Sequence, residues 1–207
     1  MELRHAIQQV TTIRSQLAAT EHLASLRASP VAVSGLLAVV AAVVQARFLE
    51  RPLDDPLGYL IIWGAAAVLG AGVAAAMVAR RTLGVSDTFS AINALQAVRQ
   101  FTPCLAVGAT VTWFVLERQP ELLWLLPGLW QMLFGLGNLA AARFFPTPAA
   151  AVGAMFLVTG ACCLWLGERA LAPWAMALPF AAGQLALAAI IWRHQRNEAA
   201  QKPRTEP

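Results

Sequence analysis

The chain has 207 residues, 58% of them hydrophobic and only 13% charged, with a mean hydropathy of +0.61. Soluble domains carry about a quarter of their residues as Asp, Glu, Lys and Arg, so this charge deficit excludes an ordinary water-soluble fold. The net charge of +4 invites nucleic acid as a partner. In a membrane chain, however, a basic excess reports topology, and no direct nucleic-acid binding is expected.

Residues 1–29 do not read as a signal peptide, because Glu2 and Glu21 stand among the basic residues and no short basic region precedes an apolar run. Leu3, Ile7, Val10, Ile13 and Leu17 recur at three-to-four spacing, with Glu2, Arg4, Gln8, Gln9 and Arg14 toward the other side. That is the pattern of an amphipathic helix lying at the cytoplasmic headgroup layer. Residues 30–192 hold six apolar stretches, at about 31–46, 57–79, 101–116, 122–142, 149–166 and 171–192. A crossing takes roughly 20 apolar residues. The second, fourth and sixth stretches meet that length, whereas the first, third and fifth borrow flanking residues or sit in thinned bilayer. Extending the third inward brings in Arg99 and Gln100, so readings with four or five spans stay open.

Between the second and third stretches, residues 80–100 form a cytoplasmic amphipathic linker. Asp87 is placed to cap a helix carrying Phe89, Ile92, Leu95 and Val98 on one stripe. The tail, 193–207, is polar and expected to be disordered. The fold class is therefore all-α: a polytopic membrane bundle of six transmembrane helices with an N-terminal amphipathic cytoplasmic helix. Pro127 and Pro179 fall inside apparent spans and are expected to kink them.

Charge fixes the expected orientation. With the N-terminus inside, Arg4, Arg14, Arg27, Arg80, Arg81, Arg99, Arg143, Arg193, Arg196, Lys202 and Arg204 are cytoplasmic, against Arg47, Arg51, Arg118 and Arg169 outside. Eleven against four follows the positive-inside rule and places both termini in the cytoplasm of a bacterial inner membrane. Glu50, Asp54, Asp55, Glu117, Glu121 and Glu168 fall outside, and Trp113, Trp124, Trp165 and Trp174 mark the outer interface.

An internal repeat is visible. Pro-x4-Gly opens three odd-numbered stretches, at Pro30–Gly35, Pro103–Gly108 and Pro148–Gly153, and each ends in Glu-Arg, at Glu50-Arg51, Glu117-Arg118 and Glu168-Arg169. Gly70-x-Gly72 resembles Gly135-x-Gly137, and Phe134-Gly-Leu-Gly-Asn138 matches Phe180-Ala-Ala-Gly-Gln184. Three tandem helical hairpins account for these matches. Ala67, Ala71, Ala75 and Ala79, with Gly64, Gly72 and Ala76, form a small-residue ridge expected to pack inside the bundle.

No Asp, Glu, Lys, Arg or His falls at the expected membrane midplane, which argues against proton relays and ion-coupled transport. The intramembrane polar residues are Ser34, Gln45, Thr110, Thr112, Gln131, Asn138, Thr159 and Gln184. Asn138 and Gln184 occupy matching repeat positions and are expected to bond across helices or to line a small cavity; Gln131 and Thr110 are further candidate polar contacts. His5, His22 and His194 form no metal or catalytic set, and Cys162-Cys163 are adjacent on a helix and read as small buried apolar residues. No cofactor, metal site or enzymatic activity is expected.

Leu126-Pro-Gly-Leu-Trp130, followed by Gly135 and Gly137, resembles an uncharacterised family of bacterial six-helix integral membrane proteins. Ile13-Arg14, Gly153-Ala-Met-Phe156, Thr159-Gly-Ala161 and Arg193-His194 extend the resemblance. Family members carry a histidine in the last span where Ala186 stands here, which weakens any metal or haem role the resemblance implies. Their genes accompany small winged-helix regulators, which implies a regulatory partner. The leading expectation is thus a non-enzymatic sensor, anchor or regulatory membrane protein. Its face of Leu3, Ile7, Val10, Ile13, Leu17, Phe89, Ile92 and Leu95 would bind a cytoplasmic protein or a second copy of the chain. The alternative is a transporter or channel for an uncharged or weakly polar small molecule.

Overall fold

The computed structural model describes residues 28–84, 88–142 and 146–201, and side chains for most of these. Among the described residues the regular structure is entirely helical: α1 (Ala28–Phe48), α2 (Pro56–Gly84), α3 (Thr88–Arg118), α4 (Leu126–Ala141), α5 (Ala149–Trp165) and α6 (Pro173–Gln201). Short 3₁₀ turns, Pro120–Leu125 and Gly167–Leu171, lead into α4 and α6. Four helical segments are long and apolar enough to cross a membrane: Ala28–Phe48, Pro56–Met77, Pro120–Ala141 and Pro173–Asn197. The α5 helix is apolar but has 17 residues, about 26 Å at 1.5 Å per residue, a little short of a ~30 Å hydrocarbon core.

Consecutive helices are neighbours all along the chain, and α1 also packs along α6. The α4–α5 and α1–α6 contacts are the most extensive, and α2–α3 is among the thinner ones. The connections 49–55, 119–125 and 166–172 gather at one end, where Leu123 and Leu171 join Tyr59, Trp63 and Leu126 in one buried cluster. The opposite end holds the long overhangs of α2, α3 and α6.

Local rules explain the ends. Asp55 caps α2, accepting from Gly58 N–H at 2.8 Å, and Pro56 takes the first helical position, where its missing N–H costs nothing. Gly167 adopts φ +57°, the left-handed conformation, with open space around its α-carbon. Gly167→Ala should therefore cost about 1 kcal/mol from backbone strain alone, and Gly167→Asn less, read as unfolding midpoints in detergent.

Several boundaries differ from the sequence expectation. Residues 80–84 of the amphipathic linker end α2, and residues 88–100 join the third apolar stretch in one continuous helix of 31 residues with Pro103 inside it. Proline's fixed φ is itself helical, so the ring removes one bond without forcing a break here. Pro127 sits in the first turn of α4, where the 3₁₀ turn Pro120–Leu125 passes into the α-helix. Pro179 does lie within a helix, α6. Residues 193–201, expected to be disordered, continue α6 to Gln201. No Gly or Pro interrupts that stretch, and the Arg196 guanidinium lies over the Trp192 ring at 4.9 Å, one turn back. Residues 202–207, 1–27 and Asp87 lie outside the described residues.

The alanine ridge of α2 faces away from the bundle. Ala67, Ala71, Ala75, Ala76 and Ala79 are exposed, and a Cβ added at Gly64 or Gly72 meets nothing within 4 Å. The packed face of α2 is Tyr59, Trp63, Ala66 and Gly70 instead. Aromatic rings bury more area and bring a polar handle, so they win the interior over alanine.

The contact between α4 and α5 is backbone on backbone. An added Cβ at Gly128 would lie 2.8 Å from the Gly160 carbonyl oxygen, and one at Gly160 would lie 2.7 Å from that of Gly128. Gly135 and Gly153 repeat the arrangement at 2.7 and 3.1 Å. The glycines recur two turns apart on each antiparallel helix, so α4 and α5 meet backbone to backbone at these positions, with Met132, Leu139 and Leu164 packed alongside. Without a hydrophobic drive between helices in lipid, such close approach gains dispersion and Cα–H···O contacts.

Candidate functional site

The polar chemistry of the interior collects near the turn end. Gln45 on α1 is 1% exposed. Its Nε2 donates to the Leu171 carbonyl at 2.6 Å, and its Oε1 accepts from Trp63 Nε1 at 2.8 Å. Gln131 on α4 is fully buried, and its Nε2 donates to the Ala175 carbonyl at 3.1 Å. Both glutamines thus reach the start of α6 from different helices.

Proline explains why those carbonyls are available. In a regular helix the Ala175 carbonyl would accept from the N–H of residue 179, but that residue is Pro179 and has none. The N–H of Ala175, the usual partner of Leu171, bonds to Ala172 at 3.0 Å. Ala172 is extended just before Pro173, as residues before proline tend to be. Two carbonyls are left for side chains, and two glutamines fill them. This is how an apolar bundle tolerates a proline: a neighbouring helix re-satisfies what the ring released.

Tyr59 sits beside these groups, stacked on Trp130 at 6.2 Å and tilted against Trp63 at 6.4 Å. Trp130 Nε1 donates to Thr112 Oγ1 at 2.9 Å, and that hydroxyl donates to the Gly108 carbonyl at 2.7 Å. Cys163, on α5, is buried in a cluster with Ala170 and Ala175. Two polar atoms here have no hydrogen-bond partner although fully buried, Tyr59 Oη and Gln131 Oε1.

The remaining candidates are distributed differently. Asn138 Nδ2 donates to the Phe134 carbonyl of its own helix at 3.0 Å, and Thr110 Oγ1 likewise to Ala106 at 2.9 Å on an exposed face. Gln184 is buried where α6 crosses α1, its Cβ 3.1 Å from where a Cβ on Gly35 would stand. Of the four polar candidates, only Gln131 belongs to the cluster at the start of α6, and Gln45 is the partner that the sequence reading left unranked. Phe134 and Phe180, the matching repeat positions, do meet, at 5.1 Å, and Phe101 and Phe156 complete a four-ring contact at 5.0–5.3 Å. Leu3, Ile7, Val10, Ile13 and Leu17 lie outside the described residues, as do the side chains of Phe89, Ile92 and Leu95.

Of the two adjacent cysteines read as buried, Cys163 is buried but Cys162 is exposed, because neighbours on one helix point to different sides. Among the described residues, Asp, Glu and Arg side chains with a described environment are exposed, at the turns or beyond the apolar stretches. Trp113, Trp165 and Trp174 are exposed near the turn end.

The fold defines a helical, membrane-type protein: four of its helical segments are long and apolar enough to span, its charged side chains with a described environment are exposed, and its buried glutamines bond backbone carbonyls. Compared with known proteins, the chain matches no family model, no curated protein and no solved structure. Gly128, Gly135, Gly153 and Gly160 form the α4–α5 backbone contact, and Trp130 bonds Thr112.

Proposed function

We propose that this chain is a non-enzymatic integral protein of a bacterial inner membrane, crossing six times as three hairpins, with both termini in the cytoplasm. Its bundle anchors or senses, and its cytoplasmic helices bind a protein partner. One observation carries this reading. α2, α3 and α6 have 29, 31 and 29 residues, about 43–46 Å each, which exceeds a ~30 Å hydrocarbon core by two turns or more. All three overhang at the same end, the one holding Arg80, Arg81, Arg99, Arg193 and Arg196. The opposite end finishes in short turns bearing the acids and the tryptophans, as an outer face would. A protein with helical platforms on one side and bare turns on the other offers its binding surface on the platform side.

The interior supports the same reading. Four phenylalanine rings and a glycine-lined helix contact fill the space between α3, α4, α5 and α6. Asn138, the residue on which a transport reading leaned, bonds within its own helix.

Deleting residues 2–28 should abolish recovery of a partner in an in-cell crosslinking pull-down, while the chain still inserts and purifies as a folded bundle. Undiminished recovery would remove the cytoplasmic face from the account. Substrate-specific flux in liposomes that the Asn138→Leu variant loses would favour transport instead.

A further inference from the structure

We propose that the last turns of α3 hold the headgroup of one zwitterionic phospholipid that carries a primary ammonium, an assignment that rests on α3 crossing the bilayer as in the reading above. Trp113, Phe114, Glu117, Arg118 and Gln119 line a groove of about 560 Å³ there. That falls among the roughly 300–1,000 Å³ of small-ligand sites. At about 3.6 residues per turn, Trp113, Glu117, Phe114 and Arg118 follow one another within about 140° of the helix circumference. All four are exposed, Trp113 at 67% and Phe114 at 53%. Other residues of the same turns hold the helix to the bundle: Val115 is buried, and Val111 packs against the same cluster. The groove therefore looks out to lipid rather than in to protein.

Its chemistry is ordered along the helix axis. Trp113 and Phe114 precede Glu117 and Arg118 by one turn, about 5.4 Å farther from the turn end. A phospholipid has the same order, with its charged head at the surface and its apolar chains beneath. Trp165 and Trp174, also exposed near this end, mark the level of the interface. The Arg118 guanidinium offers forked donors to a phosphate, and the Glu117 carboxylate accepts from the N–H groups of an ammonium. The Trp113 indole adds an apolar face with one N–H donor. One guanidinium and one carboxylate sum to zero, so the fitting head is neutral overall. An anionic head would leave Glu117 opposed, and a quaternary ammonium, having no N–H, would leave it without a hydrogen bond. Among the described residues neither Glu117 nor Arg118 is in an ion pair, whereas Arg51, in the turn 49–55, faces Asp54 at 3.9 Å.

Native mass spectrometry tests the site, on the full chain released from nanodiscs of equal parts phosphatidylethanolamine, phosphatidylcholine and phosphatidylglycerol with identical acyl chains. The ethanolamine lipid should be retained severalfold over the other two. Glu117→Gln should bring it down to the level of the choline lipid, because only the ammonium contact is lost, and Arg118→Gln should remove both. Arg51→Gln, at a turn whose charge is already answered, should change neither. Equal retention of the ethanolamine and choline lipids in the wild type would overturn the proposal, as would a preference that survives Glu117→Gln. A leading glycerol-lipid adduct lost in Arg118→Gln would overturn it in favour of an anionic head. In a chain without its native cysteines, Gln119→Cys and Gly84→Cys labelled from opposite sides of the membrane report the crossing of α3 independently. With that pattern intact, a missing preference removes the site alone; same-side labelling removes the crossing and the site together.

Discussion

Gly160→Leu is expected to destabilise the protein by about 3 kcal/mol or more, at the upper end of what overpacking usually costs. A Cβ at this position lies 2.7 Å from the Gly128 carbonyl oxygen and 2.6 Å from Met132 Cγ, so a leucine has nowhere to go without separating α4 from α5. A flexible side chain can give way; a backbone carbonyl cannot. The control lies on α2. Gly64→Leu adds the same atoms where nothing stands within 4 Å, and should change stability by less than about 0.5 kcal/mol. Denaturant titration of both variants in the same detergent decides the matter. Equal losses at the two sites would mean that α4 and α5 do not touch through their glycines.

The second large effect concerns a side chain replacing a missing backbone donor. Gln131→Leu should cost about 1–2 kcal/mol, because it strands the Ala175 carbonyl that Pro179 has already deprived of its helical partner. In a Pro179→Ala background residue 179 regains an N–H, and the carbonyl can be satisfied within α6. There the same Gln131→Leu change should cost about 1 kcal/mol less, a coupling visible in a double-mutant cycle. An identical cost in both backgrounds would show that Gln131 stabilises the bundle in some way other than by covering for the proline.

These two sites also show how far the sequence could be read. The helical, lipid-facing character of the chain was legible because it rests on composition and on the length of uncharged runs, which survive any arrangement of the helices. The turns were legible for a similar reason, since Glu50-Arg51, Glu117-Arg118 and Glu168-Arg169 have no place in hydrocarbon. Which face of a helix turns inward was not legible. In a soluble protein the buried face is the apolar one, but here both faces are apolar and the periodic contrast is gone. The small-residue spacing of Ala67, Ala71, Ala75 and Ala79 therefore pointed the wrong way, while Tyr59 and Trp63, one turn apart, mark the packed side.

The polar contacts failed for a different reason. Pairing Asn138 with Gln184 assumed that side chains in lipid seek other side chains. Gln45 and Gln131 instead bond carbonyls freed around Pro173 and Pro179, and these are contacts between segments far apart in sequence. One local signal was available: a proline four residues after Ala175 announces an orphan carbonyl, and a glutamine in an apolar run must find something to hold. The continuation of α6 beyond Trp192 was also open to reading, since no breaker occurs before Pro203.

Everything functional here depends on apolar helices crossing a bilayer with their long ends in the cytoplasm. Single cysteines placed at Asp54, Gln119 and Glu168, and at Gly84 and Gln201, in a chain whose three native cysteines are replaced, test this directly in intact cells. A membrane-impermeant maleimide should label the first three and spare the last two until the membrane is opened. Labelling of Gly84→Cys or Gln201→Cys in sealed cells, with protection at the turns, would contradict the account.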